Sequence, residues 1–194
     1  SKEAFADGHY SIKCYLEALT GAYQMFKENS STPGTKYFSD RYDACLYHVP
    51  FVKMALKAHQ RLLETDAGFA FEKDTDQWKT MLKDYETRVA PSLELNAQIG
   101  NIYTGALFLS LAHLLEHSSD RLAGKNVSLF SYGSGCGAEF MSGTVTEQAH
   151  ELMKNNPSAE VLAKRKRVSM DKYEEILEAC SKMDLNNEQH TCDP

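Results

Sequence analysis

Apolar residues recur at three- and four-residue spacing from Ser11 to about Lys27. Ile12, Tyr15, Leu16, Leu19, Tyr23 and Phe26 predict an amphipathic helix with one face toward a core. It ends in a loop over Asn29 to Gly34. The stretch Tyr42 to Val49 is apolar except at Asp43 and His48 and is cut off by Pro50, which predicts a short buried strand ending at a turn. A helix of about Phe51 to Glu64 should begin right after that proline. It places Lys53, Lys57 and Arg61 four residues apart, in one row along its surface. A third helix, about Asp76 to Val89, carries Trp78, Leu82 and Tyr85 on one side and ends before Pro91. From Ile102 to His117 apolar positions cover nearly the whole circumference, predicting a helix buried on most sides. Val127 to Ser131 and Ala138 to Val145 read as strands joined by the glycine-rich turn Tyr132-Gly133-Ser134-Gly135-Cys136-Gly137. The remainder reads as polar helices, with Ser158 and Ser169 as N-caps. This order of elements predicts a layered α/β arrangement with a helix sandwiched between sheets.

The chain has 194 residues, enough for one large domain or two small ones. Its 42% hydrophobic and 25% charged residues exclude disordered and collagen-like classes, and its apolar runs stop well short of membrane-spanning length. With 27 acidic against 21 basic side chains the net charge is −6, so a general nucleic-acid-binding surface is a poor expectation. Neither nucleic acid nor membrane is expected as a partner. Cys14, Cys45, Cys136, Cys180 and Cys192 are an odd number, widely spaced and without a CxxC pair, so reduced thiols and a cytoplasmic location are expected. Asn126-Val127-Ser128 fits the glycosylation triplet, but it opens an apolar strand with no signal peptide before it and reads as chance. The chain opens without Met in a polar stretch and stops at Thr191-Cys192-Asp193-Pro194 without a finishing element. It reads as an excised piece of something longer.

His48 falls at the carboxyl end of a buried strand just before a helix, where open α/β sheets place ligand-binding and catalytic groups. A hydrogen-bonded, partly buried imidazole is the competing reading. The row Lys53, Lys57 and Arg61 fits either a solvated helix face or a grip on phosphates. Asn101, after Gly100 at the start of the apolar helix, offers a side-chain amide or an ordinary cap. The glycines around Ser134 fit a tight turn, and equally a backbone that lets N–H groups approach a reacting carbonyl. Cys136 has no local activator and reads as a small packed thiol. The remaining histidines show no metal-ligand spacing. His113 and His117 stand four apart without an evident third ligand, which argues against zinc, so no metal is expected.

Three segments then match a known family in order and at similar separations. Tyr47-His48-Val49-Pro50-Phe51-Val52-Lys53-Met54, Gly100-Asn101-Ile102-Tyr103-Thr104-Gly105 and Phe130-Ser131-Tyr132-Gly133-Ser134-Gly135 resemble the second half of 3-hydroxy-3-methylglutaryl-CoA (HMG-CoA) synthases. Asp7-Gly8-His9-Tyr10-Ser11 with Cys14-Tyr15-Leu16 resembles the segment preceding them. The resemblance spans nearly the whole chain, residues 1–194, and is closest to bacterial enzymes of the mevalonate pathway.

It implies a thiolase-like layered αβαβα fold, of which this chain would be the C-terminal half. The implied reaction is a Claisen-type condensation of acetyl-CoA with acetoacetyl-CoA and water, giving HMG-CoA and free CoA. No cofactor is implied, since the CoA thioesters are substrates. By the same resemblance, His48 acts as general acid toward the ketone oxygen and Asn101 bonds the acetoacetyl group. Ser134 orients the reacting carbonyls, Lys53 and Lys57 contact CoA phosphates, and Tyr103 and Tyr132 wall the cavity. The nucleophilic cysteine and glutamate base of the family lie upstream of Ser1. The implied partner is therefore the N-terminal half of the enzyme, within a homodimer, and without it a large apolar face around the Ile102 to Leu115 helix should be exposed. Two alternatives remain: a related synthase of polyketide β-branching, acting on carrier-protein-bound substrates, and a non-catalytic CoA-binding module.

Overall fold

A computed structural model describes residues 8–30, 38–153 and 158–182. The first helix, α1, runs Gly8–Asn29, and its predicted stripe buries Tyr15, Leu19 and Tyr23. The expected loop after it lies largely outside the described residues. The strand that follows, β1, is Ala44–Tyr47, shorter than the apolar run, and all four residues are buried. Helix α2 (Lys53–Ala67) ends on Gly68, whose φ of 80° is the left-handed C-cap that glycine adopts without a Cβ penalty. Helix α3 (Asp76–Arg88) is capped by Thr75, whose hydroxyl accepts the Trp78 N–H. Its one fully buried residue is Met81, while Trp78, Leu82 and Tyr85 are half-buried. Met81 stands one helical turn from both Trp78 and Tyr85, so α3 turns the expected side inward.

Past a 3₁₀ turn at Ala90–Ser92 comes α4 (Glu94–Ile99), a short helix that the apolar pattern does not display. Helix α5 is Gly105–Leu122, and β2 (Asn126–Tyr132) and β3 (Ala138–Thr144) follow with α6 (Ala149–Met153). β1 pairs parallel to β2, and β2 antiparallel to β3, in a single sheet of order β1-β2-β3. Because side chains alternate along a strand, Cys45, Tyr47, Phe130 and Phe140 face one side while Ala44, Leu46, Val127 and Met141 face the other. The first face is covered by α1 and α2, the second by α5 and α6.

Helix α5 shows the exposed apolar face expected without the N-terminal half, and is covered on fewer sides than its all-round apolar sequence predicts. Ala106, Leu107, Ser110, His113 and Leu114 are buried, but Leu109, Leu111 and Leu115 are only partly covered and Phe108 is 53% exposed. Ile99, Ile102 and Tyr103, beside its start, are exposed as well. Among the described residues it packs on one sheet and is not sandwiched between two. An all-round apolar sequence shows what a helix can bury, not how many layers reach it.

The described residues 158–182 belong to a second compact unit. It holds α7 (Ser158–Ala163) and α8 (Met170–Lys182). Ser169 caps α8 as expected, its hydroxyl accepting the Lys172 N–H at 3.2 Å, whereas Ser158 is the first residue of α7 and does not precede it. α8 is amphipathic, with Met170, Tyr173, Ile176 and Leu177 along one exposed stripe.

The α1–α2 pair is fastened by Asp66, whose side chain is 2% exposed and accepts from Tyr23 Oη, Lys27 Nζ and the Phe38 backbone N–H. Asp66→Ala leaves a buried hydroxyl and a buried N–H without their acceptor and should cost about 2–4 kcal/mol. A shifted urea midpoint at unchanged m-value is the expected signature, with Asp66→Asn losing less.

Candidate active site

Parallel pairing puts the carboxyl ends of β1 and β2 side by side, so His48 and the glycine-rich turn emerge at the same edge. The ladder continues one residue past β1, with the His48 N–H donating to Phe130 C=O at 2.8 Å. From the other side the Tyr15 hydroxyl donates to the His48 carbonyl at 2.8 Å. The backbone of His48 is thus held from α1 and from β2 together. Its ring is buried, lies 6.2 Å from the Tyr132 ring and 6.4 Å from that of Tyr15, and its Nδ1 has no hydrogen-bond partner in the protein. A cavity of about 490 Å³ opens there, lined by Ile12, Tyr15, His48, Phe51, Met54 and Tyr132 among others. An imidazole among the walls of an otherwise largely apolar cavity is what a binding site provides for a polar ligand group.

The glycine turn closes one side. The Gly133 N–H donates to the Gly137 carbonyl at 2.9 Å, and Gly135 and Cys136 both take positive φ, 74° and 60°. For Cys136 this is strained backbone of the kind that persists where the surroundings enforce it. The Tyr132 hydroxyl donates to Cys136 Sγ at 3.5 Å, and this bond with partial burial pushes the tyrosine up to about 12. Ser134 opens the turn; its side chain lies outside the described part of the structure.

The loop before α5 reaches the same place. A Cβ on Gly133 would sit 3.8 Å from Thr104 Oγ1, so the two loops are neighbours. Asn101 is exposed and turns its Oδ1 to the Tyr103 N–H at 2.9 Å, an Asx turn that holds Tyr103 at φ 54°. The Tyr103 ring is 76% exposed. Lys53, Lys57 and Arg61 are all exposed along α2, which starts beside the cavity-lining Met54.

His48, Tyr132 and the glycine turn are thus brought together, and the Asn101 loop joins them through Thr104. The lysines stand outside the lining, and Asn101 is engaged with its own loop. Sequence reasoning missed Tyr15 as a site residue. The available signal was a tyrosine at a buried helix position, whose hydroxyl must find a partner.

A buried strand-end histidine facing a glycine turn across a parallel pair, with helices on both faces of the sheet, places the molecule among α/β proteins. The chain belongs to the family described as hydroxymethylglutaryl-coenzyme A synthase C terminal, whose profile matches residues 1–84 and 70–192. It is 32% identical to hydroxymethylglutaryl-CoA synthase of Schizosaccharomyces pombe over 92% of this chain and 46% of that protein. Among solved structures it resembles MvaS in complex with 3-hydroxy-3-methylglutaryl coenzyme A, at 41% identity and a TM-score of 0.81, over 100% of this chain and 48% of that one. The HMG synthase of the curacin biosynthetic pathway, in complex with apo donor-ACP, is 28% identical at a TM-score of 0.83, over 97% of this chain and 44% of that one. The chain spans about half the length of the relatives it matches.

Burial pulls His48 below its ordinary value of 6.5. Above that value the imidazole is neutral whether the protein is folded or unfolded. As pH falls through it, the unfolded chain binds a proton that the folded site refuses, so stability is lost on acidification. A histidine Cε1–Hε1 NMR titration should place His48 below 6.5. His48→Gln should flatten part of the acid limb of stability against pH, a limb that His113, also lowered by burial, shares.

Proposed function

We propose that this chain is the C-terminal half of a hydroxymethylglutaryl-CoA synthase and forms the acetoacetyl-CoA side of its active site. The observation that carries this is His48: a buried imidazole at a parallel strand end, its Nδ1 without a protein partner, beside an apolar cavity and a glycine turn. In this reading the N-terminal half supplies the nucleophilic cysteine and the glutamate base, and acetyl-CoA acylates that cysteine. The acetyl carbanion adds to the ketone of acetoacetyl-CoA, and hydrolysis of the thioester releases HMG-CoA.

His48 is the group that meets the ketone oxygen. Burial keeps it neutral near pH 7. A neutral ring donates an N–H to the carbonyl oxygen and yields its proton as alkoxide character develops. Ser134 in the glycine-rich turn orients the carbonyls, and Asn101 turns from its Asx bond to the acetoacetyl group. Tyr103 and Tyr132 flank the acyl chain. Lys53 and Lys57, at the N-terminal end of α2, hold CoA phosphates where the helix dipole also favours negative charge. The substrates are the CoA thioesters and no further cofactor is required; the working form is a cytoplasmic homodimer of the complete enzyme.

In the complete enzyme, His48→Gln should lower kcat by about 10²–10⁴ while leaving acetylation of the cysteine intact. Persistence of wild-type kcat would remove His48 from the chemistry. Lys53→Ala should raise the KM for acetoacetyl-CoA several-fold at little change in kcat, by loss of uniform binding. Replacing acetoacetyl-CoA by its carrier-protein form separates this reading from the polyketide one that the curacin likeness favours; exclusive use of the carrier form would transfer the assignment.

A further inference from the structure

Helices α4 and α5 make a hairpin whose tip is the Asn101 loop, and its inner side is polar. Asn96 Nδ2 donates to the Ala106 carbonyl at 2.8 Å, and Ser110 Oγ donates to Asn96 Oδ1 at 2.7 Å. Farther from the tip, Glu94 faces His113, with Oε2 and Nε2 3.5 Å apart. His117 follows His113 by one helical turn, and the two rings lie 4.3 Å apart between centroids. Glu116 completes the cluster: one ligand atom each from His113, Glu116 and His117 falls within 4.8 Å of the others. The third ligand that sequence spacing does not display is therefore present, on the residue next to His117.

The hydrogen bonds fix which nitrogens are available. His117 Nδ1 is 3.0 Å from the His113 carbonyl. A carbonyl only accepts, so Nδ1 carries the proton and Nε2 keeps its lone pair. His113 is 4% exposed; its Nε2 faces the Glu94 carboxylate, and its Nδ1 is buried with no hydrogen-bond partner. The carboxylate likewise favours the Nε2–H tautomer, leaving a buried lone pair on Nδ1. Each imidazole thus has one nitrogen held by an oxygen and one lone pair uncommitted. That is how metal-ligating histidines are oriented, by a carboxylate in one case and a backbone carbonyl in the other.

We propose that His113, Glu116 and His117 form a binding site for a divalent transition cation of the zinc type, with Glu94 orienting His113 from the facing helix. Two imidazoles and a carboxylate suit zinc and cobalt and leave a fourth position for water. Ligands about 2.0–2.2 Å from a tetrahedral ion lie about 3.3–3.5 Å from one another, so the cluster must contract by up to about 1.5 Å. Exposed His117 and half-buried Glu116 provide that movement through their side-chain torsions. Through Glu94 the bound ion fastens the base of the α4–α5 hairpin, at the end opposite the Asn101 loop.

The test uses the complete protein, stripped with a chelator and titrated with Zn²⁺ against a chromophoric competitor, and with Co²⁺ by visible absorption. One equivalent should bind, with the cobalt spectrum of nitrogen and oxygen ligands. His117→Gln, at an exposed position, should weaken binding at least 100-fold, and Glu94→Gln about 10–100-fold. Both variants should melt at the wild-type temperature when metal is absent, and Zn²⁺ should raise the melting temperature of wild type more than that of either variant. No binding by wild type, undiminished affinity in His117→Gln, or a thiolate-to-cobalt charge-transfer band reporting ligation by cysteine would each overturn the site.

Discussion

The backbone bond from the His48 N–H to the Phe130 carbonyl is what the arrangement of the site depends on. It extends the parallel ladder one residue beyond β1 and so fixes where the histidine leaves the sheet relative to the turn leaving β2. A one-residue slip would exchange the two faces of β1, sending Tyr47 toward α5 and Ala44 toward α2. The buried set on both faces forbids this. The Tyr15 hydroxyl on the His48 carbonyl adds a second anchor from α1, so that three elements agree on one position. Rigid support of this kind is what the proposed role of His48 requires, because the geometry of a proton donor, before its pKa, decides whether transfer is possible.

A second network lies directly behind. Tyr47 Oη meets His59 Nδ1 at 2.9 Å, His59 Nε2 meets Asp84 at 2.8 Å, and Arg88 closes the chain on Asp84 at 3.0 Å and on the Tyr42 carbonyl at 2.9 Å. Polar groups buried in this way are expensive unless each is satisfied, and here each member has its partner. The network ties α2 and α3 to β1 on the sheet face that α1 and α2 cover. His48, its sequence neighbour, has one nitrogen with no protein partner. The contrast between an occupied and an unoccupied imidazole, eleven positions apart, separates the histidine that holds the fold from the one that faces the cavity.

Much of this was legible in the sequence where the signal is local. The α1 stripe, the strand cut off at Pro50, the lysine row and the glycine-rich turn are patterns of two to four residues, and the structure places them as read. Pairings between distant segments were not legible: Tyr15 with the His48 carbonyl, Thr104 beside Gly133, Asn96 with Ser110, Glu94 with His113. No spacing encodes them, because each depends on how elements pack. Helix α4 stayed hidden since six residues hold too little periodicity to register. The coverage of α5 was misjudged for a related reason, since apolar residues on every side of a helix do not count the layers around it. The three-segment match supplied what periodicity could not, expected roles for His48, Asn101 and Ser134.

The parallel pairing of β1 with β2 also has a consequence in time. Antiparallel strands can zip from a short turn, but these two are joined only through α2, α3, α4 and α5. During synthesis β1 leaves the ribosome long before Phe130 exists, and the histidine has no ladder to join. Until then the apolar stripes of α1 and α2 have no sheet to cover. The entropy of closing so long a loop must be met before any contact across it forms, which slows this step relative to local helix formation. The nascent chain therefore passes through a stage with formed helices and an unformed site, and in that interval its need for protection from aggregation is greatest.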